Sequence, residues 1–572
     1  MDRTERLLGW GYFPSQLPPA FHTRDLASHH AALYGAWLAM QPLPAKGAKI
    51  PRAPSSKAEL FSVARAGHQR RVISLPNPVA QTYLATHVAA HWAHFLRHYR
   101  QSRLSASRPR FLKAGKRAAN IPSMQLLYDR KILNSAGYRY MLRTDVSRFF
   151  PTIYTHSVPW ALHGKTAAKK NQGVTAKFFG NLLDLSLRQG QEGQTIGLPI
   201  GPDTSHIIAE AIATSVDLEL KKRLKGLPAG FRYVDDYFMF FATASEAETA
   251  LAALIRSLKD FELQINFEKT KTCSVLEITD DFWTHKLRSF QIATSGRRQA
   301  SDINHFFELA KELARGNADE SVMAYALKRA SSVLVRKENW ANFEAHVCHV
   351  AMGYPNTLQN VARLLSTYAH VGYPIRRDRL ERLVNALVRD HAALGHHSEV
   401  SWCLWMCKDL SLSLTDANMD LVAEMHSSVC ALLLLDLSVM GKLPKPPKTS
   451  YWKQNAESAD ALRGDLWLLS YEAGIRGWGG FSDAHIVADA HFARLKHRGI
   501  HFYDTSATLP PIFQIKADAL QKHNLIDVSD LFDLVDVHEM LEYEEGDGGY
   551  EGVVFPEVEE EPKVNDGDDY LA

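Results

Sequence analysis

At 572 residues, with 46% hydrophobic and 23% charged residues, the chain is too long for a single small core, and roughly two to four soluble domains are expected. The net charge of +3 is unevenly spread: Arg97–Arg117 holds eight Lys or Arg and no acid, whereas Asp536 onward holds fourteen acids against Lys563 alone, which predicts a polyanion partner for the body. Five scattered cysteines, no signal-peptide pattern at Met1–Arg6 and no apolar run of the about 18–20 residues that span a bilayer exclude a disulfide scaffold and a membrane role, so a cytoplasmic protein is expected.

In chain order, the first 60 or so residues mix proline turns with a helical stretch near His29–Met40. From Arg70 to Cys273, β-type runs (Arg71–Leu75, Tyr138–Thr144) alternate with helical ones (Val79–Tyr99, Ser205–Lys225), the pattern of an α+β domain. Leu104–Ile121 reads as a loop. After Phe290 helical periodicity dominates: Ile303–Arg315, Val322–Val335, Trp340–Met352, Leu358–His370, Arg377–Leu394, Glu399–Leu410 and Asp416–Leu435. Helical pieces at Ala459–Gly474 and His485–Arg498 follow. Successive amphipathic helices with short breaks predict an all-α, solenoid-like helical-repeat domain. The acidic tail is expected to be disordered. The predicted division is 1–60, an N-terminal extension; 61–295, the α+β domain; 296–535, the helical repeat; and 536–572, the tail.

Three segments in this order carry chemistry. Met141–Tyr154 contains Asp145 followed by Phe149-Phe150, Gly197–Ser205 reads Gly-Leu-Pro-Ile-Gly-Pro-Asp-Thr-Ser, and Tyr233-Val234-Asp235-Asp236 lies between apolar flanks. Burying such acids without a partner is costly. A strand ending in Asp145 and a hairpin carrying Asp235 can face each other and hold two metal ions about 3.5–4 Å apart. Metal ions so placed suit phosphoryl transfer, one activating a hydroxyl and the other neutralising a triphosphate.

This ordered set resembles the palm motifs of reverse transcriptases, over roughly residues 70–290. The resemblance implies a fingers and palm domain. It makes Asp145 and Asp235 metal ligands, Asp236 a supporting carboxylate, Val146 a carbonyl ligand and Phe150 the ring that blocks a ribose 2′-hydroxyl. It implies two Mg²⁺ or Mn²⁺ ions, dNTP substrates and a DNA product. Arg71-Val72-Ile73-Ser74-Leu75-Pro76 is similar to the fingers segment whose arginine grips the triphosphate, a bidentate role that Arg71 can fill, with Arg70 next in line. Leu263–Thr270 resembles the following motif, in which Lys269 would protonate pyrophosphate. Pro199, Ile200 and Gly201 would border the nucleotide.

The family usually has Gln at the position of Ile200, and isoleucine cannot donate that amide's hydrogen bonds. Gly197–Glu210, the long helical half (HEAT-like in the family) and Ser398–Trp405 resemble the bacterial abortive-infection and defence-associated subset. That likeness implies antiphage DNA synthesis, in several relatives protein-primed and template-independent, by homo-oligomers or with a partner defence protein. A templated enzyme using a companion non-coding RNA is the alternative, as is a catalytically idle nucleic-acid-binding scaffold. No zinc-finger spacing, endonuclease module or RNase H carboxylate set is recognisable.

The basic run, with Arg100, Arg103, Arg108, Arg110, Lys113, Lys116 and Arg117, can track a nucleic-acid backbone, with Tyr99 and Phe111 available for stacking. Cys403 and Cys407, four apart near His391, His396, His397 and His426, read as buried apolar-face cysteines rather than zinc ligands. Tyr543, Tyr550, Tyr570 and Tyr34 are hydroxyls that a protein-primed reaction could use, but an acidic tail would repel growing DNA.

Overall fold

The computed structural model describes residues 2–513, apart from 42–49, 68, 113–114, 116, 123–125, 279–281, 294–295 and 319. β1 (Glu59–Ala64) and β2 (Arg70–Leu75) pair antiparallel, from Glu59↔Leu75 to Ala64↔Arg70. The expected boundary after residue 60 therefore cuts through β1. β3 (Arg110–Phe111) and β4 (Ala119–Asn120) form a minimal hairpin inside the stretch expected to be a loop. Strands of two residues are too short to show a period of two.

β5 (Tyr140–Asp145), β6 (Ala229–Tyr233), β7 (Asp236–Phe241) and β8 (Lys271–Ser274) form a four-stranded antiparallel sheet in the order β6-β7-β5-β8. Aromatic and β-branched residues favour the pleated form. Both faces of β7 are buried: Tyr237, Met239 and Phe241 join the main core, while Phe238 and Phe240 pack with Phe231 and Met141 on the other side. Asp203–Leu224 and Ala244–Lys259 are the long helices of this region.

Val79–Tyr99 is not one helix. It breaks at His91 into Pro78–Ala90 and Trp92–Tyr99, where the His91 ring bonds the His87 carbonyl and stacks on Phe179 at 4.3 Å. In the second half, Leu358–His370 has the predicted bounds. Asp416–Leu435 is instead two helices, Asp416–Ala423 and Ser428–Val439, because the Ser427 hydroxyl caps the second by accepting from Cys430 N–H at 3.4 Å. His485–Arg498 likewise splits into Ala484–Ala488 and Phe492–His497, where Asp489 accepts from the amides of His491 and Phe492. The stretch at Ala459–Gly474 becomes a short 3₁₀ turn, Ala461–Arg463, and the helix Trp467–Arg476.

The helical half docks on β1, whose free edge would otherwise expose unpaired amides. Ser62 N–H donates to His397 Nδ1 (3.2 Å), Ala64 N–H to Ser398 Oγ (3.1 Å), and Glu59 accepts from Ser428 N–H (2.7 Å). Trp467 Nε1 donates to the Leu75 carbonyl at 3.0 Å, closing the seam beside β2. One hydrophobic cluster runs from Leu7, Tyr12 and Trp37 through the palm helices to Leu495 and Phe513. No described helix is long and apolar enough to cross a membrane.

Candidate functional site

β5 ends on Asp145, directly across from Asp236 at the start of β7. Asp235 is the second residue of the turn between Tyr233 and Asp236, which joins β6 to β7. Antiparallel pairing thus brings all three carboxylates to one end of the sheet, and Val146 N–H donates to the Asp235 carbonyl at 3.2 Å. Asp145 Oδ2 accepts from Lys269 Nζ at 3.0 Å, but its Oδ1 is buried with no partner. Burial, then repulsion from Asp236 and Asp145, pushes the Asp235 carboxyl up to about 6. Burial and Asp145 likewise raise Asp236, against Arg143, Lys269 and Lys131. Lys269 itself is 66% exposed and is a weak counter-ion for buried Asp145 and the half-buried Asp235 and Asp236. An orphaned carboxylate oxygen among acids held above their usual range is the deficit that a divalent cation relieves. Hard oxygen donors suit such an ion.

Arg71 lies on β2, where desolvation and then Arg65 lower its pKa while the Asp235 carboxylate opposes them. Arg70 is committed elsewhere: it grips Glu399 with two nitrogens at 2.6 and 2.9 Å and Ser62 Oγ at 2.6 Å. Phe150 is half-buried, edge-on to Phe149 at 5.6 Å and to His206 at 4.9 Å. The Gly197–Gly201 loop ties this ring to β2, since Leu198 N–H donates to the Phe150 carbonyl (2.9 Å) and Ser74 N–H to the Ile200 carbonyl (2.8 Å). Gly201 has φ of +131°, and a Cβ there would press on the Ser74 carbonyl at 3.3 Å, so the approach requires glycine. Pro199 precedes this contact, and Ile200 is half-buried against the core.

The basic run is divided in its tasks. Arg100, Arg103 and Arg110 are exposed. Arg117, by contrast, pairs with Asp203 and donates to the Gly201 carbonyl at 2.8 Å, and Arg108 donates to the Ser102 carbonyl. Tyr99 is buried, with its hydroxyl on the Ile207 carbonyl (2.6 Å), and Phe111 packs edge-on against Trp92. The Tyr99 ring is closed to a base, whereas Phe111 is half-buried. Lys113, Lys116 and the tail with Tyr543, Tyr550 and Tyr570 lie outside the described residues. The Tyr34 hydroxyl shares a hydrogen bond with His87 at 3.2 Å.

All five cysteines are buried thiols. His391, His396 and Glu399 do converge, yet the two imidazoles bond each other at 2.9 Å and Arg70 already neutralises Glu399. A feature that sequence reasoning missed lies beneath the Val234 turn. Arg232, wholly buried, bonds Glu210 at 2.9 and 3.0 Å and Asp217 at 3.0 and 3.1 Å. Burial lowers the Arg232 pKa, but Asp217 and Glu210 outweigh it and hold the guanidinium firmly charged. Apolar flanks disguised Arg232, although a charge at a strand position facing a helix with two inward acids is a signal that could be sought.

The profile of the family described as "Reverse transcriptase (RNA-dependent DNA polymerase)" matches residues 66–302. This region is a reverse transcriptase domain. The protein is thereby a nucleotidyltransferase, and divalent metal ions are typical of such domains. No curated protein matches the chain. Among solved structures it is similar to apo telomerase from Candida tropicalis, at 12% identity over 67% of this chain and 70% of that one, with a TM-score of 0.30. It is also similar to telomerase from Candida albicans in complex with a TWJ fragment of telomeric RNA, at 11% identity, 67% and 69% coverage and a TM-score of 0.28. At those TM-scores the telomerase likeness adds nothing to the reverse transcriptase assignment.

Proposed function

We propose that the reverse transcriptase domain transfers deoxynucleotidyl groups, using Asp145, Asp235 and Asp236 to hold two Mg²⁺ or Mn²⁺ ions, with the Val146 carbonyl as a further ligand. The observation that carries this reading is the partnerless Asp145 Oδ1 among three crowded acids. Bound there, the ions would lower the pKa of the attacking hydroxyl and neutralise the triphosphate. The hydroxyl gives up its proton to solvent as its oxygen bonds to the α-phosphorus, and the bond to pyrophosphate breaks. Arg71 binds the phosphates, Phe150 excludes a 2′-hydroxyl, and Pro199-Ile200-Gly201 border the sugar and base. Lys269, now on Asp145, is the proton donor to pyrophosphate. Arg100, Arg103 and Arg110 offer exposed charge for a nucleic-acid backbone.

The reaction belongs, on this reading, to antiphage defence by a cytoplasmic, homo-oligomeric or partner-bound enzyme, with the helical half as a HEAT-like assembly surface and the fingers and palm at 61–295. Support comes from the resemblance of Gly197–Glu210 and Ser398–Trp405. Ile200, which lacks the amide that would meet a templated pair, favours synthesis without a template, and the same resemblance implies priming from a protein hydroxyl. Purified protein given labelled dNTPs after nuclease treatment tests this directly. Labelled DNA covalently attached to protein is expected. Synthesis that appears only when RNA is added back would replace it with the RNA-templated alternative.

A further inference from the structure

Val234, the residue before Asp235, has a φ of +54°, a left-handed backbone that β-branched side chains avoid. Its conformation is fixed by the orientation of the two peptide planes on either side of its Cα, and both planes are gripped. On one side Val234 N–H donates to Ser107 Oγ at 2.7 Å. On the other, Arg232 Nη1 donates to the Val234 carbonyl at 2.8 Å. A single buried carboxylate links the two grips: Glu210 bonds Arg232 at 2.9 and 3.0 Å and accepts from the Ser107 hydroxyl at 3.4 Å and from Ser105 at 2.6 Å. Asp217 holds the same guanidinium from below, braced by Ser102 at 2.7 Å and Tyr237 at 2.9 Å. Ser107 reaches the turn because the chain before it bridges the outer edge of β6 at Ser105, where Arg232 N–H donates to the Leu104 carbonyl and Ala106 N–H to the Arg232 carbonyl, both at 2.7 Å.

We propose that Ser107, Arg232 and Glu210 are positioning residues that hold the Val234–Asp235 turn in its strained form and thereby aim the Asp235 carboxylate at the metal site. The inference rests on the reading of Asp235 as a metal ligand. It gives the middle of the basic run a task apart from nucleic acid, since Ser107 acts on the turn through its hydroxyl. A substitution that removes one grip lets the turn relax, and the catalytic step suffers while nucleotide binding, which depends on Arg71 and Phe150, does not. Glycine at position 234 adopts a positive φ freely, so it makes the Ser107 grip largely dispensable.

The test is a cycle of Ser107→Ala, Val234→Gly and the double variant in the full-length protein, with Ser107→Thr and Ser107→Val as a matched pair. Turnover, dNTP KM and the Mg²⁺ concentration for half-maximal activity are measured for each, beside the thermal midpoint. Ser107→Ala is expected to lower kcat about tenfold and raise the Mg²⁺ requirement, with dNTP KM changed less than about twofold. In the Val234→Gly background the same change is expected to cost less than about twofold, and Ser107→Thr to outperform Ser107→Val. Unaltered kcat in Ser107→Ala, an equal loss in both backgrounds, or equal activity of the Thr and Val variants would each overturn the inference. Asp235→Asn separates the two claims. If it stays active, the metal reading itself falls; if it is inactive while Ser107→Ala is normal, only the positioning role falls.

Discussion

Arg232 is wholly enclosed with two carboxylates, so its worth lies in what its loss would leave behind. Removing it strands two buried acids, at about 3–5 kcal/mol. Arg232→Ala is expected to show that loss in equilibrium denaturation, whereas Arg100→Ala, at an exposed position, should stay within about 0.5 kcal/mol of the parent. Glu59 presents the opposite case, a buried acid without a cation. Burial, only partly offset by hydrogen bonds from Ser428, raises its carboxyl to about 8 from the ordinary 4.5. Because the folded value is the higher, the stability it contributes is fully present below about pH 4.5 and is lost as pH rises through about 8. Glu59→Gln keeps an acceptor for Ser428 N–H and has no charge to bury. The variant's thermal midpoint should exceed the parent's by a margin that grows from pH 5 to pH 8 and then levels off; a margin independent of pH would refute this.

At the scale of elements, the β6–β7 hairpin carries the site and depends on one glycine. Gly230 has φ of +142°, and a Cβ there would lie 2.2 Å from the Phe238 carbonyl oxygen on the paired strand. Gly230→Ala should therefore open the hairpin, seen as lost amide protection in β6 and β7 and lost incorporation of dNTP. The aspartates were legible in the sequence because acids amid Phe, Tyr and Val have few structural uses, and β5 and β7 followed from the same flanks. Leu358–His370 was legible because its apolar period is unbroken. The breaks at His91, Ser427 and Asp489 were not, because each is made by a side chain that reaches back to local backbone within an otherwise helical pattern. Tyr99 looked like a stacking platform because sequence shows a ring but not the direction it faces. Arg108 and Arg117 looked free for phosphate because their partners, the Ser102 carbonyl and Asp203, reach them only through the fold.

Among the described residues one large hydrophobic cluster crosses what composition suggested were separable parts. The N-terminal segment seats Gly11 against Asp203, which in turn accepts from the amides of Ala118 and Ala119 at 3.0 Å. The helical half supplies the caps of β1 and the Trp467 contact on β2. Residues 66–302 expressed alone should therefore fail to give a cooperative thermal transition, and a sharp transition would contradict a shared core. Trp467→Ala in the full chain should cost about 3–5 kcal/mol, as expected for an emptied tryptophan site. On the proposed reading, the three acids of the palm perform metal-dependent deoxynucleotidyl transfer. Incorporation of labelled dNTP by the full-length protein with Mg²⁺ or Mn²⁺, beside Asp235→Asn/Asp236→Asn of matched thermal midpoint, tests it most directly. Labelled polymer from the parent, abolished by chelation and absent from the double variant, is the predicted result; equal labelling by both proteins would contradict it.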